Sequence, residues 1–121
     1  MVDTDRLAIL CHQNNAYAFF DYAAVAPYVE INMNGPSTHR PFEFSVKGKE
    51  ELCYKDAAFI SPHKFIGGPG SSGVLIAKKG LLYDRVPERI GGGPIFFVNA
   101  NEHEFVANTE ELEEAGTPGI L

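Results

Sequence analysis

Asp56-Ala57-Ala58-Phe59-Ile60-Ser61-Pro62-His63-Lys64-Phe65-Ile66-Gly67-Gly68-Pro69-Gly70-Ser71-Ser72-Gly73-Val74-Leu75 is the stretch on which the reading of this chain turns. Ala57 to Ile60 is a short apolar run without alternation, the pattern of a strand covered on both faces. It delivers Ser61, His63 and Lys64 to its C-terminal end, where ligands of open α/β sheets bind. The glycines after them let the backbone approach a ligand closely. Gly73 to Ala77 is then a further buried strand, flanked by Lys78 and Lys79. A hydroxyl and an imidazole can donate hydrogen bonds to phosphate oxygens. A lysine beside them becomes a nucleophile toward an aldehyde when desolvation or a neighbouring cation frees its amine. On pattern alone the competing reading is a solvated lysine in a glycine-rich surface loop, or a generic phosphate-binding turn.

Upstream, Ala16-Tyr17-Ala18-Phe19-Phe20 is a second unalternating apolar run and predicts another buried strand, ending at Asp21. Asp21 is placed to cap the helix that Ala23 to Ala26 starts and Pro27 limits to a turn or two. Val29 to Met33 alternates with period two and reads as a short half-exposed strand. Asn34 to Lys49, rich in glycine, proline and charge, reads as a surface excursion. Downstream, Leu81 to Glu88 holds one helical turn before Pro87, and Gly91-Gly92-Gly93-Pro94 is an irregular turn. Asn108 to Glu114 begins a helix that Gly116 and Pro118 cut short. Three buried strands with hardly any amphipathic helix to cover them make an odd self-contained domain, because a parallel sheet needs both faces covered. The pattern suggests a piece of a larger fold whose covering helices lie outside the chain.

At 121 residues the chain has room for one domain of the usual ~100–200 residues. A hydrophobic content of 45% and a charged content of 21% describe a core-forming sequence rather than a disordered tail. The formal net charge of −6 opposes a nucleic-acid partner, since that affinity comes from Lys and Arg neutralising phosphates. The apolar stretch from Ala16 to Val29 is broken by Asp21 and Pro27 and is shorter than the ~20 residues a bilayer span needs, so no membrane segment is expected. Met1 to Arg6 is acidic and polar, unlike a signal peptide, which makes the cytoplasm the default location. Cys11 and Cys53 sit in no metal-binding spacing and read as reduced, packed thiols.

Ser61-Pro62-His63-Lys64, followed by the Gly-Pro turn and the small-residue strand, resembles the cofactor-lysine motif of the class V aminotransferase and cysteine desulfurase family of pyridoxal-phosphate enzymes. Phe20-Asp21-Tyr22-Ala23, Gly91-Gly92-Gly93 and Glu114-Ala115-Gly116-Thr117-Pro118-Gly119 are similar to further family segments, in the family's order. The resemblance implies that Lys64 carries pyridoxal 5'-phosphate as a Schiff base and acts as the catalytic residue. It implies that Ser61 and His63 bind the cofactor phosphate, and that Asp21 pairs with the pyridine nitrogen. It also implies an α/β fold in which residues 1–121 form part of a fold type I large domain, mostly parallel with one antiparallel strand, Gly73 to Ala77. The protein of which this is a part would act on a small amino-acid substrate and pair as a homodimer.

Departures accompany the matches. Ala24 stands where many relatives have a glutamine that bonds the cofactor hydroxyl, residues 35–49 form an insertion, and Gly119 replaces an asparagine. The family's N-terminal phosphate loop and stacking ring have no counterpart here. Nor do its C-terminal carboxylate-binding arginine and desulfurase cysteine, and neither Cys11 nor Cys53 falls in that cysteine's place. The alternative expectation is therefore an inactive, truncated relative without turnover.

Overall fold

The computed structural model describes residues 2–38, 46–82 and 93–108. They form a small mixed α/β structure with one α-helix and two sheets, divided into two compact units. Residues 83–88 of the turn expected at 81–88, two of the three glycines at 91–93, all but Asn108 of the helix expected over 108–114 and the family segment at 114–119 lie outside the described residues, as do 39–45 of the surface excursion.

The first unit opens with helix α1, Thr4–Gln13. Asp3 caps it, its carboxylate accepting a hydrogen bond from the Arg6 amide at 3.0 Å and so satisfying one of the donors a helix start leaves orphaned. Asp5 in the first turn and His12 in the last complement the helix dipole. The inward stripe is Asp5, Ala8, Ile9 and His12, with the larger Leu7 and Leu10 left exposed. Because the i, i+3, i+4, i+7 pattern begins and ends on polar residues, hydrophobic periodicity does not reveal this helix.

Strand β1, Phe19–Asp21, pairs parallel with β2, Ala57–Ile60, which pairs antiparallel with β3, Val74–Ala77. β2 and β3 lie where the apolar runs place them, and β3 is the antiparallel strand expected. The sheet as a whole differs from the expectation of a mostly parallel one. Among the described residues it has one parallel and one antiparallel pairing, and the second unit adds only an antiparallel hairpin. The reason lies in the connections. A parallel return needs a long crossover, which residues 22–56 supply between β1 and β2, whereas Ser61 to Gly73 folds back on itself through the Pro62–Lys64 turn and the glycine loop and reverses the chain.

Directly paired residues share a sheet face. Phe19, Asp21, Ala57, Phe59, Leu75 and Ala77 therefore occupy one face, and Phe20, Ala58, Ile60, Val74 and Ile76 the other. Neither face is covered throughout: Phe19 is 52% exposed, Phe59 44% and Ile76 40%. This corrects the expectation of strands buried on both sides. Coverage concentrates near α1, where Ala8, Ile9, Ala18, Tyr22, Val46, Cys53, Ala57 and Ala58 are buried. Val29 to Met33 forms no strand; Asn32 instead bonds the Pro36 carbonyl and the Asn34 amide, and Met33 accepts the Lys55 amide. Both cysteines are free thiols, with Cys53 buried.

The second unit contains a hairpin absent from the sequence reading: β4, Ile95–Val98, antiparallel to β5, His103–Phe105. Asn99 makes its turn, accepting the Asn101 and Glu102 amides on its side-chain oxygen, a local mimic of backbone turn bonding. A register shift between Ile95 and Phe97 marks a bulge. Among the described residues no helix is long and apolar enough to cross a membrane.

Candidate functional site

Because β1 and β2 run parallel, their C-terminal ends emerge at one edge of the sheet. Asp21 is paired with Phe59, and the ladder extends one bond further, the Tyr22 amide donating to the Phe59 carbonyl at 2.8 Å. The chain then turns, with the Asp21 Oδ1 accepting the Ala23 amide at 2.7 Å. This is the local capping role available to an aspartate at a turn start. Residues beyond Asp21 form a turn and a short 3-10 segment, Ala26–Tyr28, rather than an α-helix. Asp21 itself is exposed.

One residue beyond β2, Ser61 introduces a 3-10 turn, Pro62–Lys64. Pro62 at its start loses no hydrogen bond, since a first-turn amide has no intrahelical partner. The Lys64 and Phe65 amides close the turn onto the Ser61 and Pro62 carbonyls at 3.1 and 2.9 Å. The glycine loop then folds back onto this turn. Gly67 and Gly70 have φ of 78° and 83°, in the left-handed region that side chains other than glycine's rarely adopt. At Gly68 a Cβ would lie 2.0 Å from the Pro62 carbonyl oxygen, so the loop rests directly on the backbone that carries Lys64. The Ser71 amide and hydroxyl both donate to the Gly68 carbonyl, at 3.0 and 2.6 Å, and lead the chain into β3.

The four residues singled out from the sequence, Asp21, Ser61, His63 and Lys64, thus leave the sheet at the same edge. Ser61 is half-buried; His63 and Lys64 are exposed. Among the described residues neither the His63 ring nor the Lys64 amine takes a side-chain hydrogen bond. An amine, an imidazole and a hydroxyl are therefore available at one strand end, with a carboxylate at the neighbouring one.

The sequence reading missed a second concentration of charge, at the opposite end of the sheet and under α1. Lys55 is fully buried, its amine 3.6 Å from Asp5 Oδ1 and 6.0 Å from the centroid of the Phe20 ring. Asp5 also accepts the Ser37 amide and hydroxyl, at 2.9 and 2.8 Å. Burial pushes the Lys55 ammonium toward its neutral form, while the Asp5 carboxylate opposes that shift. Burial likewise pushes the Tyr22 phenol upward, with a hydrogen bond to Thr4 working against it and the Asp5 charge adding to it. Alongside, the His12 Nε2 lies 2.9 Å from Asp56 Oδ2 and Nδ1 lies 2.8 Å from the Leu52 carbonyl. The same Asp56 oxygen accepts the Ala18 amide at 2.8 Å. The sequence offered only a weak signal, the charged pair Lys55-Asp56 immediately before an apolar strand. No protein-family model matches this chain, and no curated protein does.

Proposed function

We propose that this chain carries the cofactor-lysine segment of a pyridoxal-phosphate enzyme acting on an amino acid, of the class V aminotransferase and cysteine desulfurase type, within a fold type I large domain. One observation supports the reading above all: parallel β1 and β2 release Asp21 and the Ser61-Pro62-His63-Lys64 turn at a single sheet edge, where ligands of such sheets bind. The donor set fits the cofactor in kind. Ser61 and His63 would hold the phosphate, Asp21 the ring nitrogen, and Lys64 the covalent attachment. Bound there, the cofactor supplies an electron sink for negative charge developed on the substrate. Lys64 Nζ, as the neutral amine, can take a proton from the substrate α-carbon and return it. The Asp21 carboxylate favours a protonated ring nitrogen by charge. The glycine loop orients the lysine, since Gly68 fixes the turn that bears it.

A second reading, an inactive relative that keeps the motif without turnover, is favoured by the exposure of His63 and Lys64, because such proton transfers run in sites from which water is excluded. Adding pyridoxal 5'-phosphate to the chain separates the two. The first reading expects a yellow protein and, after borohydride, the cofactor mass on the peptide containing Lys64, with labelling of that peptide abolished in Lys64→Ala. Labelling spread evenly over the surface lysines, undiminished in Lys64→Ala, would leave the inactive relative. Affinity for inorganic phosphate without any chromophore would point to a simple phosphate-binding turn.

A further inference from the structure

We propose that His12 is held as the doubly protonated imidazolium and that, paired with Asp56, it forms a pH-responsive clamp between α1 and the strands of the sheet. Both ring nitrogens face acceptors: Nδ1 the Leu52 carbonyl at 2.8 Å and Nε2 the Asp56 carboxylate at 2.9 Å. A carbonyl oxygen cannot donate, and Asp56 Oδ2 already receives the Ala18 amide at 2.8 Å, so that oxygen is itself acting as an acceptor. With Asp56 as the carboxylate, satisfying both contacts requires a proton on each nitrogen. The neutral ring has only one, so one contact becomes lone pair against lone pair at hydrogen-bond distance. Water cannot readily relieve it, because the His12 and Asp56 side chains are only 5% and 8% exposed.

Asp56 is well placed to transmit the change. Its amide donates to the Ala18 carbonyl, its carboxylate accepts the Ala18 amide, and its carbonyl accepts the Lys78 amide. One residue thereby joins the residue before β1, the residue after β3 and the start of β2, and His12 adds the end of α1. The charged and titratable groups around the ring are few. From the 50–56 segment come Asp56 and Tyr54, whose ring stacks on His12 with centroids 3.9 Å apart. From the end of β3, the Lys78 amine lies 5.5 Å from that same Tyr54 ring and is bonded to Asn34. On α1 itself Cys11 is adjacent, while Asp5 is committed to Lys55 and Ser37. The Asp56 carboxylate is the one anion seen in contact with the ring among the described residues, and the Lys78 cation sits over the same Tyr54 ring. The inference holds whether or not the loop after β2 binds a cofactor.

Hydrogen exchange on the whole 121-residue chain, compared between about pH 5 and about pH 8 and corrected for intrinsic rates, tests the clamp. Peptides covering α1 and residues 17–20 and 52–58 should exchange several-fold faster at the higher pH, with the β4–β5 hairpin as the unaffected control. His12→Gln, which cannot titrate, should remove the difference. Equal protection at both pH values, or the same pH effect in His12→Gln, would overturn the proposal. Should that variant fail to fold, nitrogen NMR of the wild-type ring at about pH 5 decides alone: two protonated nitrogens support the clamp, and a single one with α1 still protected refutes it.

Discussion

Lys55 and Asp5 show how a charged residue is tolerated where water is absent. The amine is completely buried, yet it sits beside a carboxylate that is itself held by Ser37. Removing one partner strands the other charge in a medium that cannot solvate it, which in buried pairs costs about 3–5 kcal/mol. Asp5→Leu should therefore lower unfolding stability by that order in a urea titration. The double variant Asp5→Leu/Lys55→Met should recover much of the loss; a double variant as unstable as the sum of the singles would show that the pair does not interact. Asp21 has two separable roles, the observed bond to the Ala23 amide and the proposed contact with a ring nitrogen. Asn keeps the first and loses the charge needed for the second, whereas Ala loses both. Asp21→Ala should cost up to about 1 kcal/mol of stability, the net worth of an exposed turn hydrogen bond, and Asp21→Asn little. In an active form of the protein, Asp21→Asn should lower kcat more than it raises KM, since the charge matters as negative charge develops. Near-normal turnover in Asp21→Asn would leave only the turn.

The element most sensitive to a single atom is the glycine loop between β2 and β3. A methyl group at Gly68 would meet the Pro62 carbonyl at 2.0 Å, and its neighbours there are backbone atoms unable to swing aside. Gly68→Ala should thus displace the Pro62–Lys64 turn, at a cost of about 1–3 kcal/mol if the clash is relieved as overpacking usually is. Selective labelling of Lys64 by pyridoxal phosphate and borohydride should fall with it. Gly73→Ala is the control, because the nearest atom to its added methyl is the Ile60 carbonyl oxygen at 3.9 Å, an ordinary contact. Equal labelling in both variants would separate the loop from the lysine. This loop and its two flanking strands were readable in advance, since apolar runs bounded by glycine and proline leave little else for the chain to do. Helix α1 and the β4–β5 hairpin were not. The helix hides its inward stripe behind Asp5 and His12. The hairpin turns on asparagine side-chain bonds within Asn99-Ala100-Asn101-Glu102, which lacks the glycine-containing turn dipeptides that announce hairpins.

Across the molecule, large apolar side chains stand in water on the sheet and on the hairpin: Tyr17, Phe19, Phe59 and Leu75 in the first unit, Phe96, Phe97 and Val98 in the second. Exposed apolar surface of this kind drives association. Sedimentation velocity should show the chain's apparent mass rising with concentration, and Phe59→Glu on the open sheet face should reduce the effect. A concentration-independent monomer would count against it. The positions of β2 and β3 and the glycine-rich return between them follow from the sequence alone, because strand-forming runs and turn residues act through neighbours a few positions away; the antiparallel sense of β3 was expected only from the resemblance. Tertiary structure alone decided that Asp21 and Lys64 share an edge, since that depends on Phe19 meeting Ala57 in a parallel rather than an antiparallel ladder, across a long connection. It alone decided, too, that Lys55, Asp56, Asp5 and His12 are hidden from water. Burial is a property of what packs against a residue, and a charged side chain looks the same in sequence whether its partner is solvent or another charge brought in from a distant part of the chain.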